Sequence, residues 1–472
     1  MANNNTLKYF YELCKIPHAS GNEGEISKYI VDLMKENGLK TKVDKTGNVY
    51  VFTENATNKN KKPILLQAHL DMVPEKTADS KHNFATDPIQ AYEEKGWIKA
   101  KQTTLGADDG IGVAMALSLL LDKKSNYNLE ALFTIDEEQG LTGARNVEPK
   151  VLKSKYLINL DSEDDDEIVV GSAGGKRSEI CYRTKREEND KIQYLLRIFD
   201  GVSGHSGVMI QESRSNVIVD AFVMLKTLSE KVEFNLVSAE SGRADNVIPP
   251  YINIVLSIED LGLFKKEFKT LFAEYKKAYE AFEPNLNYEI KKVAKPSFKP
   301  LSNACSQSFL NLMSLANNGI NGYDFKTNMP TLSTNIGVIA TTEKTINVSW
   351  LSRTSYDFFV EKLENKVKAL AELTKSSYRC VSSYEGAAPL LQNDLADAVQ
   401  SIAKEKFKHH MEIKSIHAGL EFGMIVKKYP GMVPVSIGPN VRGAHTPEEK
   451  VEIKSINLIY DILVQVIDKL SK

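Results

Sequence analysis

The chain has 472 residues, 42% of them hydrophobic and 26% charged, close to the average for folded globular proteins. That length makes about two to four domains and excludes a disordered chain, a collagen-like chain and a coiled-coil rod. With 60 basic and 62 acidic residues the formal net charge is −2, so the basic surplus of a nucleic-acid binder is missing and no nucleic-acid partner is expected. Cys14, Cys181, Cys305 and Cys380 are widely scattered without a CxxC pair, so neither a cysteine-type zinc site nor a disulfide framework is suggested. The longest nearly apolar run, Ile111 to Leu121, is broken only by Ser118. It is about half of a membrane span, so no membrane partner is expected. The opening MANNNTLKYFYELCKIP lacks a basic segment followed by an apolar one; no signal peptide and a cytoplasmic location are expected.

The first 170 residues alternate two periodicities. In EGEISKYIVDLMKENG, Ile26, Tyr29, Ile30, Leu33 and Met34 recur at helical spacing, and Asn37-Gly38 supplies a stop. Short apolar runs at 48–52, 64–68, 129–135 and 156–160 predict strands, with a buried helix over 111–121. Buried strands alternating with helices predict an α/β layer with a largely parallel sheet. The middle section mixes strands (192–199, 232–237, 252–258, 335–340, 345–350) with helices (217–228, 263–279, 308–315, 356–373), which predicts a separate α+β domain whose element order repeats. The last 80 residues return to the first pattern, with a strand at 433–437 and a final helix carrying Ile456, Ile459, Leu463 and Val466. Thr446-Pro447-Glu448-Glu449 predicts a helix start: Thr446 as cap, Pro447 at the first position, Glu449 completing a capping box. The expected plan is one α/β domain from both ends of the chain (1–177 and 389–472) with an α+β domain (178–388) inserted.

Four apolar strands run into metal-type ligands. ILLQA leads to His69, with Asp71 two residues on; 129–135 leads to Asp136-Glu137-Glu138; 156–160 leads to Asp161; 433–437 leads through a loop to His445. The loop TTLGADDGIG puts Asp108 and Asp109 before a helix. Open α/β sheets build their sites beyond the carboxyl ends of the strands, so parallel pairing would bring these segments together. Each piece alone has a plainer reading: His69 as a satisfied structural histidine, Glu137-Glu138 as a solvent-exposed turn. Adjacent carboxylates after a buried strand nevertheless repel unless a cation or proton is shared. Imidazole and carboxylate donors without cysteine suit Zn²⁺ or Mn²⁺. His69, Asp108, Glu137, Glu138, Asp161 and His445 supply the inventory of a two-metal hydrolase centre, whose ions lie about 3.5–4 Å apart. Asp71 is spaced to orient the His69 ring through its other nitrogen. His410-x-Glu412 and the acidic run 163–167 read as solvated surface. GADDGIG lacks the lysine of a phosphate-binding loop.

HLDMV, TTLGADDGIG, DEEQGLTGA, INLDSE and GAHTPEE occur in the order of the metallopeptidases of family M20. GVSGHSG, IHAGLEFG and the long insertion resemble that family's subfamily C, the cytosolic aminoacyl-histidine dipeptidases. The resemblance implies an α/β zinc-peptidase catalytic domain with an inserted lid and dimerisation domain, hence a homodimer. It implies two divalent metal ions, Zn²⁺ first, with Mn²⁺ or Co²⁺ as alternatives. His69 and Asp161 would bind one ion, Glu138 and His445 the other, and Asp108 would bridge both, its bond to Asp109 being cis. Glu137 would act as general base and acid, with Asp71 behind His69. His205 would stabilise the oxyanion, in related enzymes often from a partner subunit; without the resemblance it is a residue of an exposed Gly/Ser-rich turn. Asn246 and Arg353 are candidates for holding the substrate carboxylate or the oxyanion. Glu421 is a candidate for the free amine of a small peptide substrate, although Phe422 departs from the family's usual ECG. The expected activity is hydrolysis of short peptides with a free N-terminus, Xaa-His dipeptides included. The alternatives are an amidohydrolase acting on N-acyl amino acids and a catalytically retired metal-binding scaffold.

Overall fold

The computed structural model describes residues 4–54, 57–123, 125–325, 328–390 and 392–471. They form two compact units. The first comprises Met1–Ser172, Ala387–Ser415 and Leu420–Lys472, and the second Ala173–Gly386 with Ile416–Gly419. Residues 173–177 and 416–419, grouped with the first domain in the sequence reading, thus lie in the second unit. The long excursion 173–386 leaves and re-enters the first unit where Ser172 and Ala387 exchange backbone hydrogen bonds of 2.9 and 3.0 Å.

The first unit is built on an eight-stranded sheet. Its spatial order is Lys40–Val43, Val49–Phe52, Leu129–Thr134, Ile64–His69, Tyr156–Asn159, Val433–Ser436, Glu167–Ser172, Glu412–Ile416. The middle four strands are parallel, with Ile64 opposite both Leu129 and Tyr156, and Val433 opposite Tyr156. Nearly every residue of these four is buried. This explains their continuous apolar character, because a parallel strand covered on both faces has no polar side to show. Antiparallel neighbours, Val49–Phe52 and Glu167–Ser172, flank the block.

Helices supply the covering layers. Gly24–Glu36 buries Ile26, Ile30 and Met34. It ends where Gly38, at φ +77°, donates to the Lys35 carbonyl at 2.9 Å. Ala107–Leu120 is buried almost throughout, and Ile453–Leu470 buries Ile456, Ile459, Leu463 and Val466. Each fully buried side chain of this size contributes about 1.5–3 kcal/mol. A second sheet of four short strands orders Val441–Arg442, Lys450–Glu452, Trp97–Ala100, Ala91–Glu94.

One sequence expectation is corrected here. No helix starts at Thr446: residues 443–449 form tight turns, and the final helix begins at Ile453 after the Lys450–Glu452 strand. The Glu449 carboxylate is engaged far from its own backbone, so it cannot complete a local cap.

The second unit holds a four-stranded sheet (Phe234–Glu240, Ile252–Ile258, Ile192–Phe199, Asn287–Lys292) and a five-stranded one. The latter orders Gly319–Asp324, Met329–Thr341, Thr345–Thr354, Gly174–Arg183, Ser377–Tyr384. Asn216 caps the Val217–Leu228 helix through Val219 N–H, and Asp260 caps Leu261–Ala278 through Leu263 N–H. Phe222 and Tyr182 meet Phe309 edge-on in a separate apolar core. No helix among the described residues is long and apolar enough to cross a membrane.

Candidate metal centre and active site

The carboxyl ends of the four parallel strands deliver the ligands. His69 is the last residue of Ile64–His69. Glu137 and Glu138 open a short turn of helix directly after Leu129–Thr134, behind Asp136 in the left-handed region at φ +52°. Asp161 follows Tyr156–Asn159, and a loop after Val433–Ser436 presents His445, itself at φ +62°. Two non-glycine residues at positive φ beside one cluster mark backbone shaped for the site.

Asp108 is the centre of the arrangement. Its Oδ1 lies 3.0 Å from His69 Nε2 and its Oδ2 lies 3.1 Å from His445 Nε2. His69 Nε2 is also 3.3 Å from Asp161 Oδ1, and His445 Nε2 is 3.0 Å from Glu138 Oε2. The donors therefore divide into His69, Asp108, Asp161 and Asp108, Glu138, His445, each set within 4.8 Å, with Asp108 in both. Glu137 has a carboxylate oxygen within 4.8 Å of donors on His69 and Glu138. The Asp108–Asp109 peptide bond is cis.

The electrostatics of this cluster call for added positive charge. Burial pushes the carboxyls of Glu137, Glu138 and Asp161 up, and neighbouring carboxylates push them further. Hydrogen bonds to Asp108 and Glu138 hold His445 up at about 11. Burial opposes a proton on His69, but the Asp161 charge and bonds to Asp108 and Asp161 outweigh it and raise its pKa well above the ordinary value. Glu138 Oε1 is buried with no hydrogen-bond partner among the described residues. A pair of divalent cations fits this donor set: it would replace the shared protons and engage the orphaned oxygen.

Three further carboxylates brace the ligands. Asp71 accepts from Glu137 N–H at 2.9 Å, Glu138 N–H at 3.2 Å and the Ser20 hydroxyl at 2.8 Å. Buried Asp109 accepts from the backbone N–H of His69 and of Gly112, each at 3.2 Å. A Cβ on Gly112 would lie 2.2 Å from Asp109 Oδ1, so the glycine makes room for that carboxylate. Glu449, only 3% exposed, accepts from the backbone N–H of Leu105, Gly106, Ala107 and Asp108 at 2.7, 3.1, 2.7 and 3.4 Å. Asp109 was visible in the sequence only as the second half of a pair, and Glu449 only as a capping residue.

Glu421 departs from expectation. It is fully buried, and its Oε2 accepts from Gln67 Nε2 at 2.5 Å and Thr134 Oγ1 at 2.6 Å. Burial lifts its pKa to about 7. In this geometry one oxygen braces the strand layer, while Oε1 is buried with no hydrogen-bond partner among the described residues. The acidic run is partly paired, Asp164 with Arg442 at 2.6 Å and Glu167 with Lys414, while Glu163 and Asp166 are exposed. His410 and Glu412 are exposed, as read from the sequence.

In the second unit, three expected residues come together. Gly204–His205 pairs with Val247–Ile248, and the Asn246 carbonyl accepts from Ser206 N–H at 2.8 Å. Arg353, 4% exposed, places Nη2 3.2 Å from His205 Nε2 and donates through Nη1 to the Tyr384 hydroxyl at 2.9 Å. Its Nε is buried without a hydrogen-bond partner among the described residues. A guanidinium only donates, so His205 Nε2 is the acceptor in that contact. Buried His417 meets the Ser333 hydroxyl at 2.7 Å. Burial, then the Arg353 charge, presses its pKa down to about 3.

An α/β layer that gathers two imidazoles and an aspartate lying between them beyond its parallel strands presents the donor set of a metal-dependent hydrolase. The family model described as "Peptidase family M20/M25/M40" matches residues 65–469, and the chain belongs to that family, whose peptidases are metal-dependent. It is 32% identical over 470 residues to the cytosol non-specific dipeptidase of Escherichia coli (strain K12), covering 98% of this chain and 96% of that one. The crystal structure of an aminoacylhistidine dipeptidase from Vibrio alginolyticus superposes with a TM-score of 0.88 at 31% identity, over 98% of this chain and 96% of the other. A tripeptidase from Staphylococcus aureus (TM-score 0.56, 16% identity, 100% and 99% covered) shares the fold.

Proposed function

We propose that the chain is a dinuclear metal-dependent dipeptidase, hydrolysing short peptides with a free N-terminus, Xaa-His dipeptides among them. The observation that carries this reading is the Asp108 carboxylate, one oxygen facing His69 and the other His445. Full-length similarity to two dipeptidases supports the substrate class. Zn²⁺ is the proposed metal, Mn²⁺ or Co²⁺ the alternatives, because the donors are imidazoles and carboxylates without cysteine. His69 and Asp161 would hold one ion, Glu138 and His445 the other, with Asp108 shared. The protein is further proposed to be cytoplasmic and to form a homodimer through residues 178–388.

Two such cations supply Lewis acidity toward the scissile carbonyl and lower the pKa of a water. The chain's own groups do the rest. Glu137 takes the proton from the attacking water and passes it to the leaving amine. Asp71 fixes Glu137 through its N–H, and Asp109 fixes the His69 main chain. His205, whose Nε2 accepts from Arg353 in the absence of substrate, would take up a proton and turn to donate to the oxyanion. Arg353, whose guanidinium has no carboxylate partner among the described residues, would receive the substrate carboxylate, with Asn246 on the adjoining turn.

The test is a hydrolysis panel on chelator-stripped protein, with and without Zn²⁺ or Mn²⁺, comparing Xaa-His and other dipeptides with tripeptides and N-acetyl amino acids. Metal-dependent cleavage confined to free-amine dipeptides is expected. Preference for N-acetyl substrates would move the function to deacylation. Two bound metals with no turnover of any substrate in the panel would turn the reading toward a substrate outside it or the retired scaffold.

A further inference from the structure

We infer that Glu449 is a positioning residue that sets His445 against Asp108 and so builds the half of the metal centre contributed by the C-terminal segment. The inference rests on the proposed ligand roles of Asp108 and His445. Those two residues are 337 positions apart in the chain, Asp108 in the non-helical first turn of the Ala107–Leu120 helix, behind the 101–106 loop, and His445 on a turn. Something has to register one segment on the other. Glu449 does so from the same turn that carries His445.

That turn is stiff. Thr446 N–H donates to the Gly443 carbonyl at 3.2 Å, as does the Thr446 hydroxyl at 2.7 Å. Glu448 N–H donates to the Thr446 hydroxyl at 3.2 Å, and Glu449 N–H to the Thr446 carbonyl at 3.1 Å. At its far end, the carboxylate collects four consecutive N–H groups of residues 105–108. Each oxygen takes two donors: Oε2 those of Leu105 and Gly106, Oε1 those of Ala107 and Asp108. Gly106 at φ +70° turns the backbone so that its N–H joins the set, and a Cβ there would meet Met72 Sδ at 2.9 Å. The cradle accepts only an acceptor on both sides. A carboxylate meets that demand and a carboxamide does not, because its NH₂ group would face two donors. The segment is thus held to the Asp108 loop at two points, once by Glu449 on the backbone and once by His445 on the Asp108 side chain. The first contact needs no metal.

The experiment compares wild type, E449Q and E449D for metal stoichiometry and for Zn²⁺ affinity against a competing chelator, with folding checked by circular dichroism. Groups that orient ligands contribute about 10–100-fold to metal affinity. For E449Q, one of the two Zn²⁺ ions is expected to bind at least tenfold more weakly while the other is little changed. E449D, which keeps both acceptors but is one methylene shorter, is expected to fall between. Folded E449Q that binds two ions with wild-type affinity would overturn the inference and leave Glu449 a purely structural anchor. Wild-type protein that fails to bind two ions would instead overturn the ligand assignment beneath it. Should E449Q not fold, hydrogen exchange on chelator-stripped wild type decides: amides 105–108 protected without metal support the clamp, and unprotected amides in an otherwise folded protein reject it.

Discussion

His69 Nδ1 lies 3.0 Å from the main-chain carbonyl of Asp71 and 3.6 Å from the nearer oxygen of its carboxylate. The ring is thus oriented chiefly by backbone, and the Asp71 side chain, held down at about 2 by His69 and by N–H donors against the effect of burial, serves the Glu137-Glu138 turn. D71A should therefore keep metal at His69 and Asp161 but lose about 10–100-fold in kcat through a displaced Glu137. Metal analysis beside steady-state kinetics checks this; loss of metal with normal turnover per loaded site would return the orienting role to the carboxylate.

Glu137 and Asp108 should separate chemistry from binding. Glu137→Gln is expected to retain two metals per chain and lose about 10²–10⁴-fold in kcat, the usual range for a positioned proton carrier. Asp108→Ala should empty both sites, because its two oxygens face different imidazoles. Near-normal kcat in the first variant, or two tightly bound metals in the second, would refute the respective role.

Arg353 is buried, and no carboxylate is paired with it among the described residues. An isolated buried cation is costly, and a substrate carboxylate would relieve it. R353A should raise KM for free dipeptides by about tenfold or more, since a charge-assisted hydrogen bond contributes about 1.5–3 kcal/mol. It should leave the KM for C-terminally amidated dipeptides, which lack that carboxylate, little changed. Equal losses on both substrates would remove Arg353 from carboxylate recognition.

His417 predicts a pH dependence of stability. Its pKa falls from 6.5 to about 3 in the folded chain. The unfolded chain takes up a proton first as pH drops, so the contribution of neutral His417 is fully present above pH 6.5 and is lost progressively down to about pH 3. Between pH 6.5 and 4.5 the loss is about 2–3 kcal/mol. H417Q should flatten the stability profile by that amount in denaturant titrations; an unchanged slope would show that His417 is protonated in the fold.

The parts of this structure legible in the sequence share one property: their signal is local. Ile64–His69 and Tyr156–Asn159 announce themselves as unbroken apolar runs because they are buried on both faces, and their ligands follow at once. Ala91–Glu94 and Ser377–Tyr384 went unread because both lie at sheet edges with mostly exposed side chains, which leave no apolar pattern. Thr446–Glu449 was misread for a related reason. Its spacing satisfies a helix cap, yet the groups that use the Glu449 carboxylate belong to residues 105–108, and tertiary donors prevailed over the local option. The ties of Glu421 to Gln67 and Thr134 leave no trace in local spacing either, because those partners stand on other strands.

The hydrogen-bonded pairing of Ser172 with Ala387 makes residues 173–386 a detour with its two stems already fastened. The entropy of closing such a detour grows only slowly with its length. For the first unit, exchanging the insert for a longer, shorter or unrelated one is thus a mild perturbation, and the graft points are those two residues. The short stretch 416–419 limits that freedom: it belongs to the second unit while its neighbours on either side belong to the first. A transplanted insert would have to bring its own replacement for these four residues, His417 included.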